Sequence, residues 1–170
     1  MGMTFTEPTV VINYKPYAKM MHYIRWAKGE ISGFGEAEFR DNHVVVVKSV
    51  FILPQECSAA YTELTEEGLT DFLYHCAKKG KDPSSFRFWW HSHVNFSVFF
   101  STIDTDNIAR LASVAPWVSL CANKRGHMVA RYDDGGKSTP MGIFVNPTSG
   151  SHLMRICRKQ IKRMVGPVKS

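Results

Sequence analysis

The sequence predicts one α/β domain over residues 1–170, an α-β-α sandwich around a mixed, mostly antiparallel sheet. Three observations predict it. Helix-like and strand-like segments follow in the order helix, strands, helix, strand, helix, strands, helix, which is not the regular βαβ alternation of a doubly wound sheet. The 170 residues, 44% hydrophobic and 21% charged, suffice for a single sizeable core. No internal repeat, low-complexity tract or long linker divides them.

The first helix is expected over Tyr14–Lys28, with Tyr17, Met20, Met21 and Ile24 on its apolar side and Trp26 as a further candidate. Gly29 stands where a helix commonly ends. Glu30–Arg40 reads as a strand and His43–Leu53 as a second, buried and valine-rich, with Asp41-Asn42 as the hairpin turn between them. A short strand is expected around Ala60–Leu64. Thr65–Lys79 is a helix capped by Thr65, with Glu66 and Glu67 suiting its N-terminus and Gly80 closing it.

Phe86–Ser92 is a compact aromatic strand and Asp104–Val114 a helix. Strands are expected at Trp117–Ala122, Met128–Asp133 and Met141–Val145, with Asp134-Gly135-Gly136 in the connection before the last. Leu153, Cys157, Ile161 and Met164 recur at helical spacing, so a last helix docks by that stripe.

Composition narrows the function classes. No apolar run approaches the roughly 20 residues of a transmembrane helix. The opening MGMTFTEPTV lacks a basic region followed by an apolar stretch, so no secretory signal is expected. Met1-Gly2 with Thr6 fits the myristoylation pattern, which is short and degenerate. Cys57, Cys76, Cys121 and Cys157 form no CxxC pair and sit among apolar neighbours, reading as small, buried, reduced side chains of a cytoplasmic protein.

The net charge of +6 is concentrated in Arg155, Arg158, Lys159, Lys162, Arg163 and Lys169. A basic tail can bind nucleic acid or acidic lipid. The apolar stripe through the same segment makes these residues the solvated face of a docked helix instead. Nucleic acid is not an expected partner, because no recognised motif for it appears.

The stretch that carries chemistry is Trp89-Trp90-His91-Ser92-His93, continuing to Ser101 and Asp104. At a strand end, the period of two puts both imidazoles on one face. Zinc favours nitrogen and carboxylate ligands, and Phe88, Trp89 and Trp90 would wall the site. Asp104 can come back to the pair from the first turn of the next helix. Three protein ligands with a fourth position open is the pattern of a catalytic zinc site. A bare His-x-His is weak evidence, and the offsets of Ser101 and Asp104 make it specific. Ser101 followed by Asp104 also resembles a helix capping box, which is compatible with a ligand role, and Asp106 is a rival acid.

His91-Ser92-His93 with Ser101 and Asp104 resembles the signature of the JAMM, or MPN-domain, zinc metalloproteases. The family motif also needs an upstream glutamate followed by a hydrophobic residue, a variable one and glycine. Glu30-Ile31-Ser32-Gly33 fits it. Strand parity alone leaves Glu30, Glu36 and Glu38 open, and the resemblance selects Glu30. Many eukaryotic members have proline after the second histidine, where this chain has Val94; the intervening loop is similar to prokaryotic and phage members.

The resemblance implies a cytidine-deaminase-like sandwich holding one catalytic Zn2+ on His91, His93 and Asp104. Glu30 would be the general base and Ser101 a hydrogen-bond donor to the developing oxyanion. It implies hydrolysis of peptide or isopeptide bonds, beside the C-terminal tail of a ubiquitin-like protein or in another polypeptide. Family relatives often pair, so a homodimer or a place in a larger complex is compatible with it. The alternative is an inactive MPN scaffold that binds protein partners.

Overall fold

The computed structural model describes residues 3–53, 55 and 66–147. Within them the strands are β1 (Thr9–Asn13), β2 (Ser32–Arg40), β3 (Val44–Phe51), β4 (Phe88–Ser92), β5 (Trp117–Ala122), β6 (Met128–Asp134) and β7 (Lys137–Asn146). The helices are α1 (Tyr14–Trp26), α2 (Glu66–Lys78) and α3 (Thr102–Leu111). The expected strand around Ala60–Leu64, the Thr65 cap, the C-terminal helix and the Met1-Gly2 motif lie outside the described residues.

The chain is α/β, but the strands close into a barrel in the order β1-β3-β2-β4-β5-β6-β7, so the open sandwich is corrected. The closing element is β1, which the sequence reading did not assign. Its Thr9-Val10-Val11-Ile12 run pairs in parallel with Val44–Val47 of β3 on one side and Gly142–Val145 of β7 on the other. The run is β-branched throughout and suits a buried strand. Elsewhere β4 and β5 are parallel, while β2–β3, β2–β4, β5–β6 and β6–β7 are antiparallel, so the sheet is mixed and mostly antiparallel.

Strand alternation sorts the core into two clusters. Phe88 and Trp90 of β4, with Val118 and Leu120 of β5, join Met20, Met21 and Ile24 of α1. Trp89 and Trp117 go to the other face and join Phe72 and Cys76 of α2 and Ile108 of α3. Burying side chains of this size contributes about 2–3 kcal/mol each, so the two faces fix the pleat of β4 and β5. Trp26 is left 78% exposed at the end of α1 and does not join the apolar side.

The turns differ in detail from expectation. Asp41–His43 forms a 3-10 turn between β2 and β3, with His43 at φ 55°, so β3 begins at Val44. Gly135 and Gly136 both take positive φ (55° and 83°) in the tight β6–β7 hairpin, which suits a primed two-residue turn. Gly33 answers a different demand. A Cβ there would stand 2.2 Å from the Phe51 carbonyl oxygen and 2.5 Å from the Trp90 ring, so the indole of the facing strand can lie across β2 only over glycine.

Candidate metal centre

Three strands and one helix deliver the site. In the register of the sheet, His91 faces Ser32 of β2 on one side and Cys121 of β5 on the other. The alternation that sends Phe88 and Trp90 to one core leaves Trp89 and His91 on the opposite face. The Trp89 indole lies flat on the His91 ring, with centroids 4.6 Å apart and an interplanar angle of 13°. The site wall is therefore Trp89 with Phe99, edge-on to His93 at 4.7 Å, and Phe100, 6.0 Å from His91. Phe88 and Trp90, expected in that wall, line the other core.

His93 follows the end of β4, its N–H donating to the Ala122 carbonyl at 2.9 Å. Its Nδ1 lies 2.9 Å from the Ser97 carbonyl oxygen, which can only accept. Nδ1 is therefore the nitrogen that keeps its proton, and Nε2 is the one that faces inward, where a metal can replace its proton. Val94 takes φ 55°, donates its N–H to Ser92 Oγ at 2.9 Å and accepts from the Lys124 N–H at 2.7 Å. This turn aims the His93 ring.

Asp104 is carried by a capping box. Ser101 Oγ accepts the Asp104 N–H at 3.2 Å, and Asp104 Oδ2 accepts the Ser101 N–H at 2.7 Å. The same Oδ2 stands 3.1 Å from His91 Nε2 and 3.5 Å from His93 Nε2. The cap and the convergent geometry thus coexist in one side chain. Ser101 itself is half-buried, and its hydroxyl proton remains available to another acceptor.

Glu30 enters through the start of β2. The Ser92 N–H donates to the Ile31 carbonyl at 2.8 Å, which ties the residue after Glu30 to the end of β4. Gln55 holds the neighbouring Ser32 from outside, accepting its N–H at 2.8 Å and donating to its carbonyl at 2.7 Å. Glu30 is buried within reach of the charges of His93, His91 and Asp104. Glu38, which shares its strand parity, is instead paired with Arg40 and Lys48 at the β2–β3 hairpin.

The electrostatics follow from burial and proximity. Burial raises the Glu30 pKa, with His93 and His91 opposing and Asp104 adding to it. Burial works against the His91 imidazolium, yet Asp104 and the Cys121 thiol lift its pKa to about 9. Asp104 and Cys121 lift His93 to about 11 against its own desolvation. Burial also opposes the Asp104 carboxylate, but the two imidazoles hold its pKa far below the usual carboxylate range.

Cys121 was read from sequence only as a buried, reduced side chain, which it is, as is Cys76. The structure adds that its Sγ, His91 and His93 offer ligand atoms all within 4.8 Å of one another. Only the β4–β5 register brings Cys121 there; no local spacing signals it. His91, His93 and Cys121 could hold a metal ion, and Asp104 lies against both imidazoles. His91 Nε2 is buried without a hydrogen-bond partner of proper geometry among the described residues. An inward Nε2 at His93, an orphaned nitrogen at His91 and a carboxylate oxygen against both form a donor set that suits zinc.

No family model matches the chain. Over 107 residues, 62% of this chain, it is 26% identical to the 26S proteasome regulatory subunit RPN11 of Eremothecium gossypii. The match spans 34% of that relative's length. The fold is similar to the solution structure of protein DSY2949 from Desulfitobacterium hafniense, with a TM-score of 0.58 at 16% identity, covering 81% of this chain and 92% of that one. Among the described residues no helix is long and apolar enough to cross a membrane.

Proposed function

We propose that this chain is a JAMM-type zinc metallopeptidase that hydrolyses peptide or isopeptide bonds. The observation that carries the reading is the convergence of His91 Nε2 and His93 Nε2 on one buried oxygen of Asp104, with Glu30 buried beside them. The motif resemblance and the likeness to a proteasome regulatory subunit support it.

His91, His93 and Asp104 would hold the ion. When bound, zinc supplies Lewis acidity, bringing the pKa of a water near neutrality and polarising a carbonyl. The protein's residues do the rest. Glu30 takes the water proton and delivers it to the leaving amine; burial has already moved its pKa up toward the working pH, where a proton carrier is most effective. Ser101 donates its hydroxyl proton to the oxygen on which negative charge develops, a contribution of about 3 kcal/mol in comparable sites. Asp104 stays ionised throughout, because the imidazoles hold it so.

The substrate we assign is the C-terminal tail of a ubiquitin-like protein joined to a second polypeptide. Phe96, Phe99 and Ile103 stand 63%, 54% and 44% exposed on the segments that bear His93 and Asp104, an apolar rim suited to an extended peptide. In that setting the chain acts in the cytoplasm, alone, paired or as a subunit of a complex.

The test is Glu30→Gln, with zinc content measured beside cleavage of ubiquitin-like conjugates. Zinc retained at about one per chain with turnover lost is the expected result. Turnover equal to the parent's would remove Glu30 from this role.

A further inference from the structure

Cys121 is a buried nucleophilic group of the site that the hydrolytic reading does not use. We propose that Cys121 is a fourth protein ligand, so that the ion is held by two imidazoles, one carboxylate and one thiolate. The proposal rests on the reading of this site as a metal centre and specifies its coordination.

Three observations carry it. Cys121 is the registered neighbour of His91 across β4–β5, and cross-strand partners present their side chains on the same face. A ring nitrogen of each histidine lies within 4.8 Å of its Sγ, near the roughly 4 Å that zinc–sulfur and zinc–nitrogen bonds of about 2.3 and 2.0 Å can bridge, so a small inward movement of the side chains brings the three onto one ion. The thiol is fully buried and reduced, and Asp104 Oδ2 lies against the same two imidazoles. Cys76 shows the contrast: equally buried, it belongs with Phe72 and Phe86 to the second core cluster.

A thiolate is a strong zinc ligand, and its proton leaves to solvent when the ion binds. With it in place, four protein atoms would hold the ion, the pattern of closed zinc sites. The resting centre therefore admits water only when the thiolate yields its place or the coordination expands to five. Cys121 thus sets both how tightly the ion is held and how readily the site opens.

The test is spectroscopic. Zinc-edge X-ray absorption of the zinc-loaded parent should show one sulfur scatterer at about 2.3 Å. The cobalt-substituted parent should show a thiolate-to-metal charge-transfer band in the near ultraviolet. Cys121→Ser should lose that band while keeping the visible cobalt bands, and should bind zinc at least about tenfold more weakly, the loss that even an outer partner of a ligand can bring. A variant keeping Cys121 but with Cys57, Cys76 and Cys157 changed to serine should retain the band, which covers the case of a Cys121→Ser chain that folds poorly. A metal bound by nitrogen and oxygen alone would overturn the thiolate ligand and leave the His91–His93–Asp104 reading standing. A parent that takes up neither zinc nor cobalt would overturn both.

Discussion

The Ser97 carbonyl oxygen, 2.9 Å from His93 Nδ1, decides which face of the His93 ring is basic. A carbonyl accepts and never donates, so a proton is held on Nδ1 and Nε2 is the nitrogen turned toward Asp104, free to exchange its proton for a metal. The loop between His93 and Ser101 thus prepares a ligand besides connecting β4 to α3. His93→Ala is expected to reduce bound zinc from about one per chain to a small fraction, since zinc needs its full set of protein donors. Asn95→Ala, on the exposed part of the same loop, is expected to leave zinc unchanged. Elemental analysis of both proteins, purified without added metal, checks the pair; equal zinc in His93→Ala and the parent would remove His93 from the ligand set.

Gly33 is the motif residue with a purely steric duty. An added methyl would meet a backbone oxygen at 2.2 Å and the Trp90 indole at 2.5 Å, and that indole is fixed by its N–H donation to the Phe34 carbonyl at 3.2 Å. Neither neighbour can retreat without parting β2 from β3 or β4. Gly33→Ala should therefore destabilise the protein by about 2–3 kcal/mol, the upper part of the range for overpacking. It should also weaken metal retention, because His91 is the β4 residue next to Trp90 and pairs with Ser32 in the same strand register. Urea unfolding followed by tryptophan fluorescence measures the first effect; a midpoint equal to the parent's would show that β2 can shift freely.

The metal-free protein and the zinc protein should respond to pH in opposite senses. In the metal-free chain His91 is faced by Asp104 from α3, Cys121 from β5, and Glu30 and His93 from the adjoining segments, and its pKa is raised to about 9. A group whose folded pKa exceeds its unfolded value stabilises the fold fully below the unfolded value. That stability is lost as pH rises through the folded pKa. The metal-free protein should thus melt at lower temperature at pH 9.5 than at pH 6.5. With zinc in excess the order reverses, since the ion must displace protons from the same imidazoles and binds more tightly as pH rises. Thermal melts with chelator and with zinc distinguish the two; parallel trends would mean that the histidines do not bind the ion.

The arrangement of the candidate site was largely legible because its residues are compressed into short spacings. Asp104 could be placed because a capped helix start fixes where its third residue points, and His91 because a strand alternates, whereas His93 lies just past β4 and is aimed by the turn at Val94. The same alternation assigns Trp89 to the site and Trp90 away from it, a distinction that the block of aromatics in sequence conceals. Two features needed the register of distant segments. Thr9–Asn13 reads as any short β-branched run until β3 and β7 are seen to flank it, and without it the sheet has no reason to close. Cys121 is an ordinary apolar position of β5 until the parallel pairing sets it beside His91. Glu30 lies between these cases, since parity admits Glu36 and Glu38 as well. Its burial within reach of His91, His93 and Asp104 singles it out, while Glu38 engages Arg40 and Lys48 instead.

Val94 carries the sharpest test of the turn that aims His93. A β-branched residue at φ 55° is strained, by about 1–3 kcal/mol, and is kept there by two hydrogen bonds, from its N–H to Ser92 Oγ and to its carbonyl from Lys124. Proline, which the resembled family often carries at this place, cannot adopt positive φ and has no N–H to give. Val94→Pro should therefore cost about 3 kcal/mol or more and swing the His93 ring away from Asp104. Val94→Gly relieves the strain and gives up about 0.5–1 kcal/mol in backbone entropy, so it should leave stability equal to the parent or slightly above it. Chemical unfolding of the three proteins, with zinc content measured on each, checks both directions. A proline variant as stable and as zinc-rich as the parent would mean that the turn can take the family's other conformation at no cost. The positive φ would then not be what positions the ligand.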